Sequence, residues 1–155
     1  MRLLVIAAGT KLPEWVNTGF EEYAGRLTRD YRLELKEIAL GQRGSGPATQ
    51  AIAKEGEKML AAIPTGAYVV ALQVGGRNLS SEQLGQFLQA RAQEGRDVVF
   101  CIGGPEGLAP EVDARADFKW SLSGLTLPHA LARVVLAEAL YRAVTIIKGH
   151  PYHRA

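Results

Sequence analysis

The sequence predicts an α/β protein built on a mostly parallel sheet flanked by helices. Strand-like apolar runs alternate with helical patterns along the chain. Several of those runs, "LLVIAA", "AYVVALQV" and "DVVFCI", are continuous rather than alternating, as strands covered on both faces are. The segments "LQVGGR", "IGGPEG" and "LSGLTLP" carry glycines where strands end, which is the edge of a parallel sheet that faces ligands.

The elements follow in order. Leu3 to Ala8 form the first buried strand. A helix is expected over 13–28, because Trp15, Val16, Phe20, Tyr23 and Leu27 recur at three-and-four spacing. "YRLELKEIAL" alternates polar and apolar residues, as an edge or half-buried strand does. "GQRGSGPATQ" collects Gly, Ser and Pro and reads as a mobile loop, with a helix over 47–63 after it. "AYVVALQV" is the next strand and "GGRNLSS" its exit loop. Ser80 and Gln83 form a capping-box pattern that opens a helix to about Glu94. "DVVFCI" is a further strand, followed by a turn and a short helix from Pro110, and "FKWSLS" is the last strand. The longest helix runs from Pro128 to Lys148, with proline at its start and Gly149 past its end.

The 155 residues suit one domain, 1–155, with no internal repeat. Hydrophobic residues at 47% and charged residues at 22% are ordinary for a globular chain. No apolar run approaches the ~18 residues of a membrane helix, so no membrane role is expected. The apolar core of the N-terminus is shorter than a signal peptide's and is read as a strand. A single cysteine, Cys101, lies inside an apolar run, which fits a reducing, cytoplasmic setting. The net charge of +2 allows an acidic partner without demanding one.

The motifs narrow the chemistry. "GGPEG" lacks the Lys-Ser/Thr ending of a P-loop, and it departs from GxGxxG. Glu106 in such a turn would repel a pyrophosphate, so a ligand there is neutral or cationic; otherwise the loop is a plain strand-to-helix turn. Ser123 or Thr126 is placed to cap the last helix. His129 falls in its first turn, where the helix dipole disfavours an imidazolium. It is either a neutral proton acceptor or a packing residue. Leu131, Val134, Val135, Leu136, Leu140, Val144 and Ile147 make an apolar stripe too wide for one neighbour. A helix of that kind is central in the fold or shared with a partner chain. Arg133, Arg142 and Lys148 on the same helix read by default as a solvated face. The tail "KGHPYHRA" is either a frayed basic end or a strip facing nucleic acid, with Arg for phosphates and Tyr or His to stack on a base. Scattered histidines and one cysteine do not make a metal site, and no GxSxG elbow anchors a serine triad.

Together, "IGGPEGL", "WSLSGLTLPHALARVVLAEALYRA" and the ending "HPYHR" resemble the H family of ribosomal large-subunit pseudouridine methyltransferases, within the SPOUT superfamily. "AAGTKLPEWVNTGFEEYAGRL" and the chain length extend the resemblance over nearly all residues. It implies a sheet whose C-terminal part threads a deep trefoil knot, although chains rarely knot and no periodicity indicates one. It also implies a cytoplasmic homodimer that uses S-adenosylmethionine to methylate N3 of one pseudouridine in the large-subunit ribosomal RNA of the assembled 70S ribosome. The family pattern puts the cofactor among Leu72, Gly103, Gly104, Ser123, Gly124, Leu125, Thr126, Leu127 and Pro128. It makes His129, Tyr152, His153 and Arg154 the catalytic candidates, the last three from either subunit. Two other classes remain: a nucleotide-dependent doubly wound enzyme, and a non-catalytic dimeric protein that binds ribosomes or RNA.

Overall fold

The computed structural model describes residues 1–41 and 47–154. Its sheet has five strands in the order β2-β1-β4-β3-β5, every neighbouring pair parallel. In chain order the elements are β1 (Arg2–Ala8), α1 (Glu14–Ala24), β2 (Arg32–Ile38), α2 (Thr49–Ala62), β3 (Tyr68–Asn78) and α3 (Ser81–Gln93). Then follow β4 (Val98–Ile102), α4 (Pro110–Arg115), β5 (Phe118–Ser121), α5 (His129–Lys148) and a 3-10 turn at Pro151–Arg154.

The central strands explain their composition. All of β4 and the run from Leu3 to Ala8 are buried, because helices cover both faces. Leu3, Val5 and Phe100 pack with Phe20 of α1, Leu84 and Leu88 of α3, and Leu136 and Leu140 of α5. Leu4, Ile6, Val99 and Cys101 meet Met59 of α2 and Val112 of α4 on the other face. The connections through α1 and α3 run one way along the sheet, and those through α2 and α4 run the other way over the opposite face. All four therefore share one hand, as parallel crossovers do.

Several boundaries differ from the sequence-based expectations. Helix α1 ends at Ala24, and Leu27 joins the core from the turn beyond it. The loop read as mobile is described only at its ends, since residues 42–46 lie outside the described residues. The capping box at Ser80 and Gln83 is present with both of its hydrogen bonds. Strand β3 continues through "GGRN", which the glycines mark as a loop. It pairs with β5 up to Leu72, breaks register, and pairs again at Arg77 and Asn78. A Cβ on Gly76 would sit 2.8 Å from the Lys119 and Trp120 backbone, so this glycine serves a close backbone approach.

Helix α5 departs from expectation in three ways. Pro128 is its N-cap, with an extended ψ of 147°, and His129 is the first helical residue. No side chain caps it: Ser123 Oγ accepts instead from the Leu125 amide at 2.9 Å, within its own loop. Its buried face combines Leu136, Leu140 and Val144 with Ala132, Ala137 and Ala143, whereas Leu131 stays 38% exposed. Small residues suit helices that must approach others closely, and a Cβ on Gly19 of α1 would lie 3.1 Å from Val134.

The largest correction concerns Arg133, which is fully buried rather than solvated. Its Nη1 donates to Glu37 at 2.6 Å, and Nη2 donates to the Gly9 carbonyl at 2.8 Å. Those groups stand at the carboxyl ends of β2 and β1, so the arginine fastens the first turns of α5 to that edge.

Removing Glu37 leaves the Arg133 guanidinium buried without its counter-charge, so Glu37→Ala is expected to lower stability by about 3–5 kcal/mol in urea titrations. A loss under about 1 kcal/mol, the scale of exposed pairs, would contradict this role. Burial also pushes the Cys101 thiol up to about 12. Ellman's reagent is therefore expected to leave the native protein unlabelled and to react once it is unfolded.

Candidate functional site

A cavity of about 560 Å³ opens at the carboxyl ends of β3, β4 and β5, beside the start of α5. That volume lies within the range of small-molecule sites. Strand β3 contributes Leu72, Gln73 and Val74. The segment after β4 contributes Gly103, Gly104, Pro105, Gly107 and Leu108. From the segment after β5 come Leu122, Ser123, Leu125, Thr126, Leu127 and Pro128, and His129 and Ala132 extend the wall along α5. The three glycine-bearing loops singled out in the sequence thus meet around one space. Gly124 is exposed and stands outside the wall, and Val74 and Leu125, 69% and 75% exposed, form apolar lips.

The "GGPEG" loop owes its shape to its glycines. The Gly107 amide donates to the Gly104 carbonyl at 3.0 Å across Pro105 and Glu106, and Gly107 has φ +91°. A Cβ on Gly103 would come 2.3 Å from the Gly107 carbonyl carbon, so any side chain there forces the loop open. Glu106 is exposed at the tip of this turn. No Lys, Arg, Asp or Glu lines the cavity among the described residues, and His129 is its one readily titratable side chain.

Two wall nitrogens, Trp120 Nε1 and His129 Nδ1, are buried without a hydrogen-bond partner in the described residues. Burial holds the His129 imidazole below its usual range, and the Arg133 charge one turn along α5 adds to the effect. The two side chains converge at Gly9, where an added Cβ would meet Arg133 Nη2 at 3.4 Å and His129 Cε1 at 3.8 Å. The N-terminal amides of α5 also stand beside this wall, and the first turn of a helix leaves its N–H groups free of intrahelical partners.

The tail residues lie elsewhere. Tyr152 packs edge-on against Tyr141 with ring centroids 4.6 Å apart, and the Arg142 guanidinium stands 5.0 Å from its ring centre. Its hydroxyl is 3.4 Å from Glu138, and burial together with the Glu138 charge raises its pKa. His153 Nδ1 is buried and unpartnered, while Arg154 is exposed. Glu138 is nine residues beyond His129, about 14 Å along the helix axis, and none of Tyr152, His153 and Arg154 lines the cavity.

Gln73, Val74, Trp120 and Arg133 were not singled out for the site by sequence. Gln73 and Val74 directly follow a recognised strand, and the rule that ligands gather at strand ends was the signal available for them.

The family described as "Predicted SPOUT methyltransferase" matches residues 1–153. The chain belongs to this family. It is a SPOUT methyltransferase, with an α/β sheet of the kind described above. It is 54% identical to the "Ribosomal RNA large subunit methyltransferase H" of Stenotrophomonas maltophilia strain K279a, over 100% of both chains. The strain R551-3 protein of the same name is 53% identical, again over 100% of both. A putative methylase family protein from Neisseria gonorrhoeae shares the fold, with TM-score 0.51 and 16% identity over 90% of this chain and 81% of its own. A probable methylase family protein from Haemophilus influenzae Rd KW20 gives TM-score 0.53 and 12% identity, covering 97% and 69% respectively.

The linkage sign for His129 follows from its lowered pKa. In the window below its ordinary 6.5, the unfolded state binds more protons than the folded one. Stability from this group is therefore present above 6.5 and declines as pH falls through the folded value. An NMR titration of the His129 Cε1–H is expected to give a midpoint below 6.5, moving upward in Arg133→Met. A midpoint at or above 6.5 would contradict the environment described.

Proposed function

We propose that this SPOUT methyltransferase transfers a methyl group from S-adenosylmethionine to N3 of a single pseudouridine in large-subunit ribosomal RNA, on the assembled 70S ribosome. It acts as a cytoplasmic homodimer whose residues 1–155 form one domain with a C-terminal trefoil knot. The observation that carries this reading is the three-loop cavity, which has no Lys or Arg among the described residues, in a family that transfers methyl groups. The name borne by the relatives at 54% and 53% identity supplies the substrate class.

The walls fit the cofactor. A sulfonium donor has no phosphate, and the described wall has no Lys or Arg. Two orphaned nitrogens and the backbone of the Ser123-to-Pro128 run give a nucleoside polar edges to pair with. Leu72, Gly103, Gly104, Ser123, Leu125, Thr126, Leu127 and Pro128 would hold it, with Gly124 completing the run. When bound, the cofactor supplies an activated methyl group. The close backbone approach at Gly76 brings β3 against the Lys119 and Trp120 backbone of β5, the strand that leads into the proposed knot.

The chain's own residues then position the nucleophile and handle its proton. Uridine-type N3 carries a proton that must leave as N3 attacks. His129, kept neutral by burial and by Arg133, accepts that proton, while orientation of the base lowers much of the remaining barrier. Tyr152 and His153 face the base and Arg154 holds its developing negative charge or a phosphate. Within one chain the tail packs beside Glu138 and Tyr141, away from the cavity, so it reaches a cavity in the partner subunit. The apolar surface left on α5 around Leu131 suits such a pairing. No helix among the described residues is long and apolar enough to cross a membrane.

Labelled S-adenosylmethionine is expected to mark one pseudouridine on 70S ribosomes that lack the modification, and not on naked RNA. Loss of a general base lowers the rate about 10²–10⁴-fold, so His129→Ala is expected near the lower figure. His153→Ala is expected to slow turnover with cofactor affinity intact. Deleting the last four residues is expected to silence transfer while the protein stays folded, and a fully active truncation would contradict the role of the tail.

A further inference from the structure

One wall residue is held in an orientation that the family likeness does not explain. Asp113 of α4 is engaged on both carboxylate oxygens, Oδ2 with Lys119 Nζ at 2.8 Å and Oδ1 with Gln73 Nε2 at 2.7 Å. The lysine ammonium first, and the Gln73 amide after it, hold the Asp113 carboxyl below its usual range. It is therefore ionised at neutral pH and can only accept. An acceptor behind it forces the Gln73 amide to turn its NH₂ toward Asp113. The other arm of the planar amide, Oε1, points away from the carboxylate and makes no hydrogen bond with the described residues. Gln73 lines the cavity and Asp113 does not, so the acceptor arm of the amide is the one left for the cavity's contents.

The donor that best suits it is cationic. No carboxylate lines the cavity among the described residues, so an ammonium group would find no acidic partner there. The Ser121 hydroxyl donates to the Ser123 carbonyl, and Ser123 Oγ accepts from the Leu125 amide, which ties both serines to their own loop. The Gln73 carbonyl is by contrast polarised by the carboxylate bound to its nitrogen. It stands next to Val74, the 69% exposed lip of the cavity.

We propose that Gln73, oriented by the Asp113–Lys119 pair, binds the α-ammonium group of the cofactor's amino-acid end. The inference rests on the cofactor reading of the previous subsection and deepens it. Gln73 is then a binding residue, and Asp113 is a positioning residue that fixes which face of the amide the ligand meets.

Two ligands separate the two ends of the cofactor. S-Adenosylhomocysteine carries the amino-acid end; 5′-methylthioadenosine keeps the nucleoside and sulfur and lacks it. Calorimetric titration of the full chain is expected to show Gln73→Leu weakening S-adenosylhomocysteine about tenfold, the loss of one hydrogen bond to a charged group. Methylthioadenosine is expected to change less than twofold, which also shows that the variant is folded. Asp113→Asn, which lets the amide turn over, is expected to fall between wild type and Gln73→Leu for S-adenosylhomocysteine alone. Equal losses for both ligands, or no loss for either, would overturn the assignment while leaving the cofactor reading in place. Wild-type protein that binds neither ligand would instead remove the cofactor reading and the assignment with it.

Discussion

The structure turns on the buried guanidinium of Arg133. Taking that charge out of water costs several kcal/mol, and only well-placed partners offset it. Glu37 supplies the counter-charge while remaining partly open to solvent, and the Gly9 carbonyl takes a second donor. These partners belong to the carboxyl ends of two neighbouring strands, so the pair fixes where α5 begins with respect to the sheet. An α-helix is rigid over one turn, and His129 and Arg133 share a face at four-residue spacing. Fixing the arginine therefore fixes the histidine.

The cavity inherits its character from this arrangement. Burial first, and the fixed positive charge of Arg133 behind it, disfavour a charged His129, which leaves the imidazole neutral and able to accept a proton. The rest of the wall is backbone and apolar side chain, drawn from segments that are far apart in sequence but exit the same sheet edge. Such a wall suits a ligand that is held by shape and peptide groups. Within it, Gln73 is the side chain proposed to orient the ligand end for end. The tail packs against the later turns of α5 in a cluster of tyrosines and arginines, away from the cavity at the start of the helix.

Much of this is legible in the sequence. The continuous runs at Leu3–Ala8 and Val98–Ile102 announce strands covered on both faces, and "LPH" marks the start of α5 within one residue. The gathering of three glycine-bearing loops at one edge follows from strand polarity alone. What stayed hidden has specific causes. Glycine signals a turn and a close backbone approach equally, so the sequence does not distinguish the extension of β3 past Gly75 and Gly76 from a loop. Charged residues on helices are usually solvated, and nothing local distinguishes Arg133 from Arg142 or Lys148; its partners are 96 and 124 positions away. Side-chain size alone favours Leu131 for the buried stripe of α5, whereas the helices beside it come close enough to favour Ala132, Ala137 and Ala143.

The methyl donor is proposed to occupy the cavity anchored by α5. The chain has two tryptophans: Trp120 in the cavity wall with an unpartnered indole nitrogen, and Trp15 on α1, 54% exposed. Nitrogen-15 spectra resolve indole N–H signals, so one titration with S-adenosylmethionine reads both positions at once. The account predicts that the Trp120 signal moves and saturates while that of Trp15 stays, and that neither responds to ATP or NAD. A Trp120 signal indifferent to S-adenosylmethionine, or one that moves with ATP instead, would contradict it.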